Sequence, residues 1–272
     1  MRNFVVTLVC ICSLGLTSSQ AQYWEIGGWG GISFYNGDIA PTFTFQRPGP
    51  AGGFFVRRNI DRRLAIRGGL MITNIGASDH RSSNAFRKAR NLSFQSNIFE
   101  GSVLLEFNFL PYHFTMKKSG FTPYLAAGFT VFHFNPKAKY KDGGWYPLQP
   151  LGTEGQAPGQ EYALIQPGIF LGGGFKIDVT RRVTIQIEVS TRFLFTDYLD
   201  DVSGTYANIR LIEGYRGSLS GVAASLSDRS PEVGERIGQE GRQRGDTHSK
   251  DSYMNIGIGI NYSFLNIRCP AY

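Results

Sequence analysis

The chain is poor in the residues that cross-link, charge or catalyse. It has three Cys among 272 residues, and two of them, Cys10 and Cys12, lie within the first 21. Loss of that segment would leave Cys269 alone, so no disulfide could form inside the remainder. Only 18 % of residues are charged and 42 % are hydrophobic, which excludes a disordered, self-repelling chain. The four His are His80, His113, His133 and His248. They form no i, i+4 pair and have no Cys neighbour, so no metal-ligand spacing exists. Ser residues are plentiful, but nothing specifies a Ser-His-acid triad. The chain therefore reads as no enzyme, with no cofactor and no metal. Beyond residue 21 there is also no apolar run of about 18 residues, which excludes a helical membrane span. It does not exclude crossing by strands of about 9–11 residues, whose signal is alternation.

What the chain does have is glycine and aromatics: 34 Gly, 21 Phe, 13 Tyr and 3 Trp. Residues 1–21 run Arg2, an apolar stretch from Phe4 to Leu16, then Ser18, Ser19 and Ala21. That order is a secretory signal peptide cleaved after Ala21. Cys10 lies inside the apolar run and not at the cleavage point, so no lipid anchor is expected. The mature net charge is then 27 − 21 = +6, Arg2 being removed from the 28 basic residues.

Period-2 alternation is clearest from Val183 to Thr196. Val183, Ile185, Ile187, Val189, Thr191, Phe193 and Phe195 share one face; Thr184, Gln186, Glu188, Ser190, Arg192 and Thr196 share the other, with Leu194 out of pattern. Tyr253 to Phe264 and Leu64 to Thr73 repeat it. Weaker versions cover Trp24 to Phe34, Gly52 to Arg57, Ile98 to Phe109, Thr122 to Phe134 and Ile165 to Ile177. Eight strands are therefore expected in an all-β fold. A soluble sandwich also alternates, but here short connections (near 59–62, 111–120 and 178–182) strictly alternate with long ones (near 35–50, 74–95, 135–163 and 197–252). That is the arrangement of an eight-stranded antiparallel transmembrane outer-membrane β-barrel, with short periplasmic turns, long external loops and both termini in the periplasm. The expected barrel spans residues 22–265, followed by a periplasmic tail, 266–272. Gly259, Tyr262 and Phe264 give the last strand a Gly-x-x-aromatic-x-aromatic ending of the kind read by barrel-assembly machinery.

A barrel of this size is just filled by its inward side chains. On the alternation, Glu25, Arg57, Arg67, Glu100, Glu106, Lys176, Glu188 and Arg192 face inward. Four acids and four bases can neutralise one another, as buried charges must, so the lumen is expected to be a closed polar plug. Gly27-Gly28-Trp29-Gly30-Gly31 and Gly172-Gly173-Gly174 open no helix and read as strand glycines that let a small barrel curve. The segment from Asp197 to Ser252 holds Ile209 to Leu226, a short helix or extra hairpin. It then runs into DRSPEVGERIGQEGRQRGDTHSKD, read either as a mobile solvated loop or, with Arg81, Arg87, Lys88 and Arg90, as a contact for lipopolysaccharide phosphates. No nucleic-acid motif is present. Cys269, beside Arg268 in the tail, is a candidate for an intermolecular disulfide in an oxidising compartment.

The stretches YWEIGGWGGISFYNGDI, RKARNLSFQSNIFEGSVLLEFNFLPY and TDYLDDVSGTY together resemble the PorG family, the small outer-membrane barrel of the type IX secretion system. The resemblance runs from Tyr23 to about Phe264 and is most specific between Arg90 and Phe109. It implies a non-enzymatic assembly component whose partner is a lipoprotein of the periplasmic ring beneath the outer membrane. The alternative is a free-standing barrel for surface adhesion or small-solute handling. Cys269 would then pair with a Cys of that ring lipoprotein.

Overall fold

Alternating side chains give a strand two unlike faces, and eight such strands bury the polar face only by closing on themselves. The computed structural model describes residues 23–41, 47–111 and 120–264, and in it they do so. The barrel strands are β1 (Tyr23–Asn36), β2 (Gly49–Asn59), β3 (Leu64–Ser78), β4 (Ser93–Asn108), β5 (Phe121–Lys139), β7 (Ile165–Asp178), β8 (Val183–Leu194) and β9 (Ser252–Phe264). A three-residue strand, β6 (Trp145–Pro147), pairs only with the end of β5. Neighbours are antiparallel in chain order, and pairing of β1 with β9 and of β4 with β5 leaves no barrel edge open. Among the described residues no helix is long and apolar enough to cross a membrane.

One rim carries the tight turns Ile60 to Arg63 and Val179 to Arg182 together with the start of β1 and the end of β9, where Trp24 pairs with Phe264. The other carries the long connections. The expected signal peptide, the tail with Cys269, His113 and most of the β4–β5 turn lie outside the described residues.

The strands run further toward the long-loop rim than alternation alone suggests, and the reason is physical. On β3 the outward side chains Ile66, Leu70 and Ile72 give way to Asn74, while the inward Arg67 and Thr73 give way to Ile75 and Ala77. On β4, outward Val103 and Phe99 give way to Asn97 and Gln95, and inward Glu106 and Glu100 to Ile98 and Phe94. On β5, outward Phe129 and Val131 give way to His133, Asn135 and Lys137, and inward Thr130 to Phe132 and Phe134. On these three strands both faces invert at one height. Below it the wall is apolar outside and polar inside, as lipid demands. Above it the wall is polar outside and apolar inside, as water demands.

The apolar inner face above that height seats a folded cap. In the segment from Asp197 to Ser252, the stretch expected as a short helix or extra hairpin forms α2 (Ile209–Arg216) and α3 (Ser220–Ser227), the charged half after it packs with Ser230 and Arg244 buried, and α1 (Ala85–Arg90) lies in the β3–β4 connection. Asn84 caps α1, and Asn208 caps α2, by accepting backbone N–H bonds. Ile212, Ala223 and Leu226 share one buried core with Phe94, Phe132, Phe134, Leu151 and Leu194. Leu194, out of pattern as a lumen residue, fits as a cap-core residue.

Candidate functional site

All eight charged residues expected in the lumen point into it, and they divide into two neutral groups. Nearer the short-turn rim, Arg57 donates to Glu25 at 2.5 Å and lies 2.8 Å from Glu106. Arg67 bridges Glu106 at 3.0 Å and Glu188 at 2.6 Å, and Lys176 reaches Glu106 at 2.6 Å. Nearer the cap, Arg192 pairs with Glu100 at 3.0 Å, and the Tyr253 hydroxyl donates to the same carboxylate. Remaining lone pairs are taken up by neutral donors: Asn59 and Asn261 donate to Glu25, and Tyr124 donates to Glu188. Charges out of bulk water need this density of partners.

Charge alone does not fill the lumen. Phe55 lies under Arg57 and Arg67 at 4.9 and 5.6 Å, and Phe170 lies under Arg192 at 4.5 Å, each cation facing a ring. These aromatics, with Trp29, escaped a reading that counted only charges, although they share parity with Arg57, Lys176 and Glu25. The glycine runs, read as devices for curvature, also make room for them. A Cβ on Gly27 would lie 2.3 Å from the Phe55 ring, and one on Gly172 would lie 2.9 Å from the Phe170 ring. A cavity of about 20 Å³ remains among Trp29, Arg67, Glu100 and Phe170, room for about one water.

The cap is held by a second buried polar network. Arg90 donates to both carboxylate oxygens of Asp79 (2.7 and 2.8 Å) and reaches backbone carbonyls of Asp38 and Arg244. Arg244 in turn pairs with Glu154 at 3.0 Å and lies 3.6 Å from Asp201. Arg90 and Arg244, 3 % and 2 % exposed, are therefore structural, which removes Arg90 from the basic residues expected to meet lipopolysaccharide. Arg81 and Lys88 are exposed and Arg87 half-buried.

At the centre of the cap, the Tyr35 hydroxyl lies 2.6 Å from Asp200 and 2.9 Å from Asp251. One hydroxyl proton serves one acceptor. The second contact is a hydrogen bond only if the second carboxyl brings its own proton. Burial, then the charge of Asp38, pushes Asp200 well above the usual carboxylate range, and burial, then Asp200, does the same to Asp251. Burial also pushes Asp38 up to about 7, and Asp201 up to about 6 against the opposing pull of Arg244. Among the described residues no group of three or more His, Cys, Asp or Glu can hold a metal ion. His80 is exposed in a 3-10 turn of the β3–β4 connection, and His133 stands on the outward face of β5 opposite Phe99 and Ile165. His248 is exposed, 3.4 Å from Asp246.

Several solved barrels are similar to this chain at low identity. Neisserial surface protein A (NspA) is 8 % identical, with 90 % of this chain and 100 % of that one covered at a TM-score of 0.45. The outer membrane protein OprG from Pseudomonas aeruginosa is 9 % identical over 89 % and 95 % at 0.41. Ail, the attachment invasion locus protein of Yersinia pestis, is 8 % identical over 90 % and 100 % at 0.40. No curated protein matches the chain. One family model, described as "Domain of unknown function (DUF6089)", matches residues 2–213. With that match over most of its length, the chain belongs to the DUF6089 family.

Proposed function

We propose that this barrel is a non-enzymatic scaffold that anchors or organises the periplasmic ring of the type IX protein secretion system. The observation that carries the scaffold reading is the filled lumen: ion pairs and rings occupy it, and a folded cap lies over its long-loop mouth. A barrel through which nothing passes acts by its surfaces. The secretion-system assignment rests on the PorG resemblance of the stretches around Trp24, Arg90 to Phe109 and Thr196 to Tyr206. On this reading residues 1–21 direct export, the short-turn rim and both termini face the periplasm, and the partner is a ring lipoprotein. No nucleic acid or cofactor takes part. Cys269 is the candidate for a disulfide to that lipoprotein.

Affinity purification of the tagged protein from outer membranes in mild detergent tests this. The proposal expects a periplasmic lipoprotein to co-elute, and a band of higher mass on non-reducing gels that is lost in Cys269→Ser. Elution of the barrel alone would favour the second reading, a free-standing barrel for surface adhesion, which the ordered cap supports; the filled lumen weighs against its small-solute variant.

A further inference from the structure

Above the height at which the wall inverts, β3 to β6 form an upright sheet whose outward face is wet and basic. Asn74, Gln95, Asn97, His133, Asn135, Lys137 and Lys139 stand on it by register, with no acidic residue among the outward strand positions. Its amides are already aligned. Arg47 donates to Gln95 at 3.0 Å, Gln95 to Asn74 at 3.1 Å, and Asn74 to Asn97 at 2.6 Å. Between β4 and the β5–β6 hairpin lies a cavity of about 420 Å³ bounded by Asn97, Phe99, Asn135, Lys137 and Trp145. Trp145 is half exposed on one side, and Phe99 marks the top of the apolar band on the other.

From this arrangement we infer that the cavity is a headgroup site for a phosphorylated glycolipid of the outer leaflet. Each part answers one part of such a molecule. The Trp145 ring presents a flat apolar face to a sugar ring, as aromatic residues at a membrane interface do. The Asn97 amide, exposed on the cavity wall, donates to a sugar hydroxyl. Lys137 and Lys139, which make no ion pair among the described residues, meet a phosphate. Acyl chains then continue down the lipid-facing row of Phe99, Val131 and Phe129, which are exposed by more than half. A phosphate without a sugar would leave the ring and amides unused, and a neutral sugar would leave the lysines unmatched. The inference rests on outer-membrane placement with the long-loop rim outward, so its test measures insertion separately.

The test is native mass spectrometry of the full-length protein, released from vesicles in which it shows heat-modifiable migration. The probes are bisphosphorylated lipid A, dephosphorylated lipid A, phosphatidylglycerol and inorganic phosphate. Lipid A should be retained at least about tenfold better than the other three. The double variant Lys137→Gln/Lys139→Gln should lose that preference, and Trp145→Leu should weaken both lipid A forms while leaving phosphatidylglycerol unchanged. Failure to insert would overturn the membrane placement itself. Insertion with equal retention of lipid A and phosphatidylglycerol, or undiminished preference in the double variant, would overturn the site.

Discussion

Glu106 is the residue on which the lower lumen turns. It meets Arg57, Arg67 and Lys176 at 2.8, 3.0 and 2.6 Å with no exposure of its own. Glu106→Gln keeps the shape and removes the charge, leaving three buried cations with two carboxylates. Breaking a buried ionic cluster from one side costs about 3–5 kcal/mol, and urea unfolding in lipid vesicles should show a loss of that size; a loss below 1 kcal/mol would mean that water already screens the network. Gln186 teaches the opposite lesson. Facing inward, it accepts from Arg57 at 2.7 Å, so although it lies on the polar face of β8, a basic side chain there would meet a cation. Alternation says which way a residue points and is silent on what it meets. For the same reason the inward charges were legible in the sequence, whereas their pairing was not, and neither were the rings of Phe55 and Phe170 among them.

Individual strands were legible wherever they cross lipid. β8 and β9 keep a single pattern for most of their length. In β3, β4 and β5 the reading stopped at Thr73, began at Ile98 and stopped at Phe134, close to where the faces exchange. A pattern that reverses its phase looks like a pattern that ends. The inversion makes a direct prediction for β4: Val103→Arg, on the lipid face, should cost roughly 2–4 kcal/mol of folding stability in vesicles, and Asn97→Arg, further along the same face, no more than about 1. Equal costs would place the membrane boundary elsewhere. The cap was the least legible element, because its charges look solvated until Asp79, Glu154 and Asp201 are brought to Arg90 and Arg244. Its acids also predict a pH dependence. Asp38, Asp200 and Asp251 hold protons in the folded cap at pH values where the unfolded chain, with carboxyls titrating near 3.9, has released them. Their contribution is most favourable below about pH 4 and is lost progressively as pH rises toward Asp38's value of about 7. Hydrogen exchange across 199–203 and 245–251, corrected for its intrinsic pH dependence, should be slower at pH 5 than at pH 8. Asp251→Asn, whose amide donates to Tyr35 as the protonated acid does, should flatten the difference. Faster exchange at pH 5 would contradict the protonated pair.

The molecule as a whole is two folding problems stacked on one barrel. The lower half satisfies lipid outside and charge inside. The upper half is a water-soluble core of strands and helices with Phe94, Phe134, Ile212 and Leu226 at its centre. Their junction is where the lumen is closed, by ion pairs from below and apolar side chains from above. Closure is the central claim, since the scaffold reading follows from it, and single-channel recording in planar bilayers tests it most directly. Purified wild-type protein, shown to be inserted by its heat-modifiable migration, should give a flat baseline with no stable conductance steps in molar potassium chloride. Reproducible ohmic steps of porin-like size from the wild-type protein would contradict it.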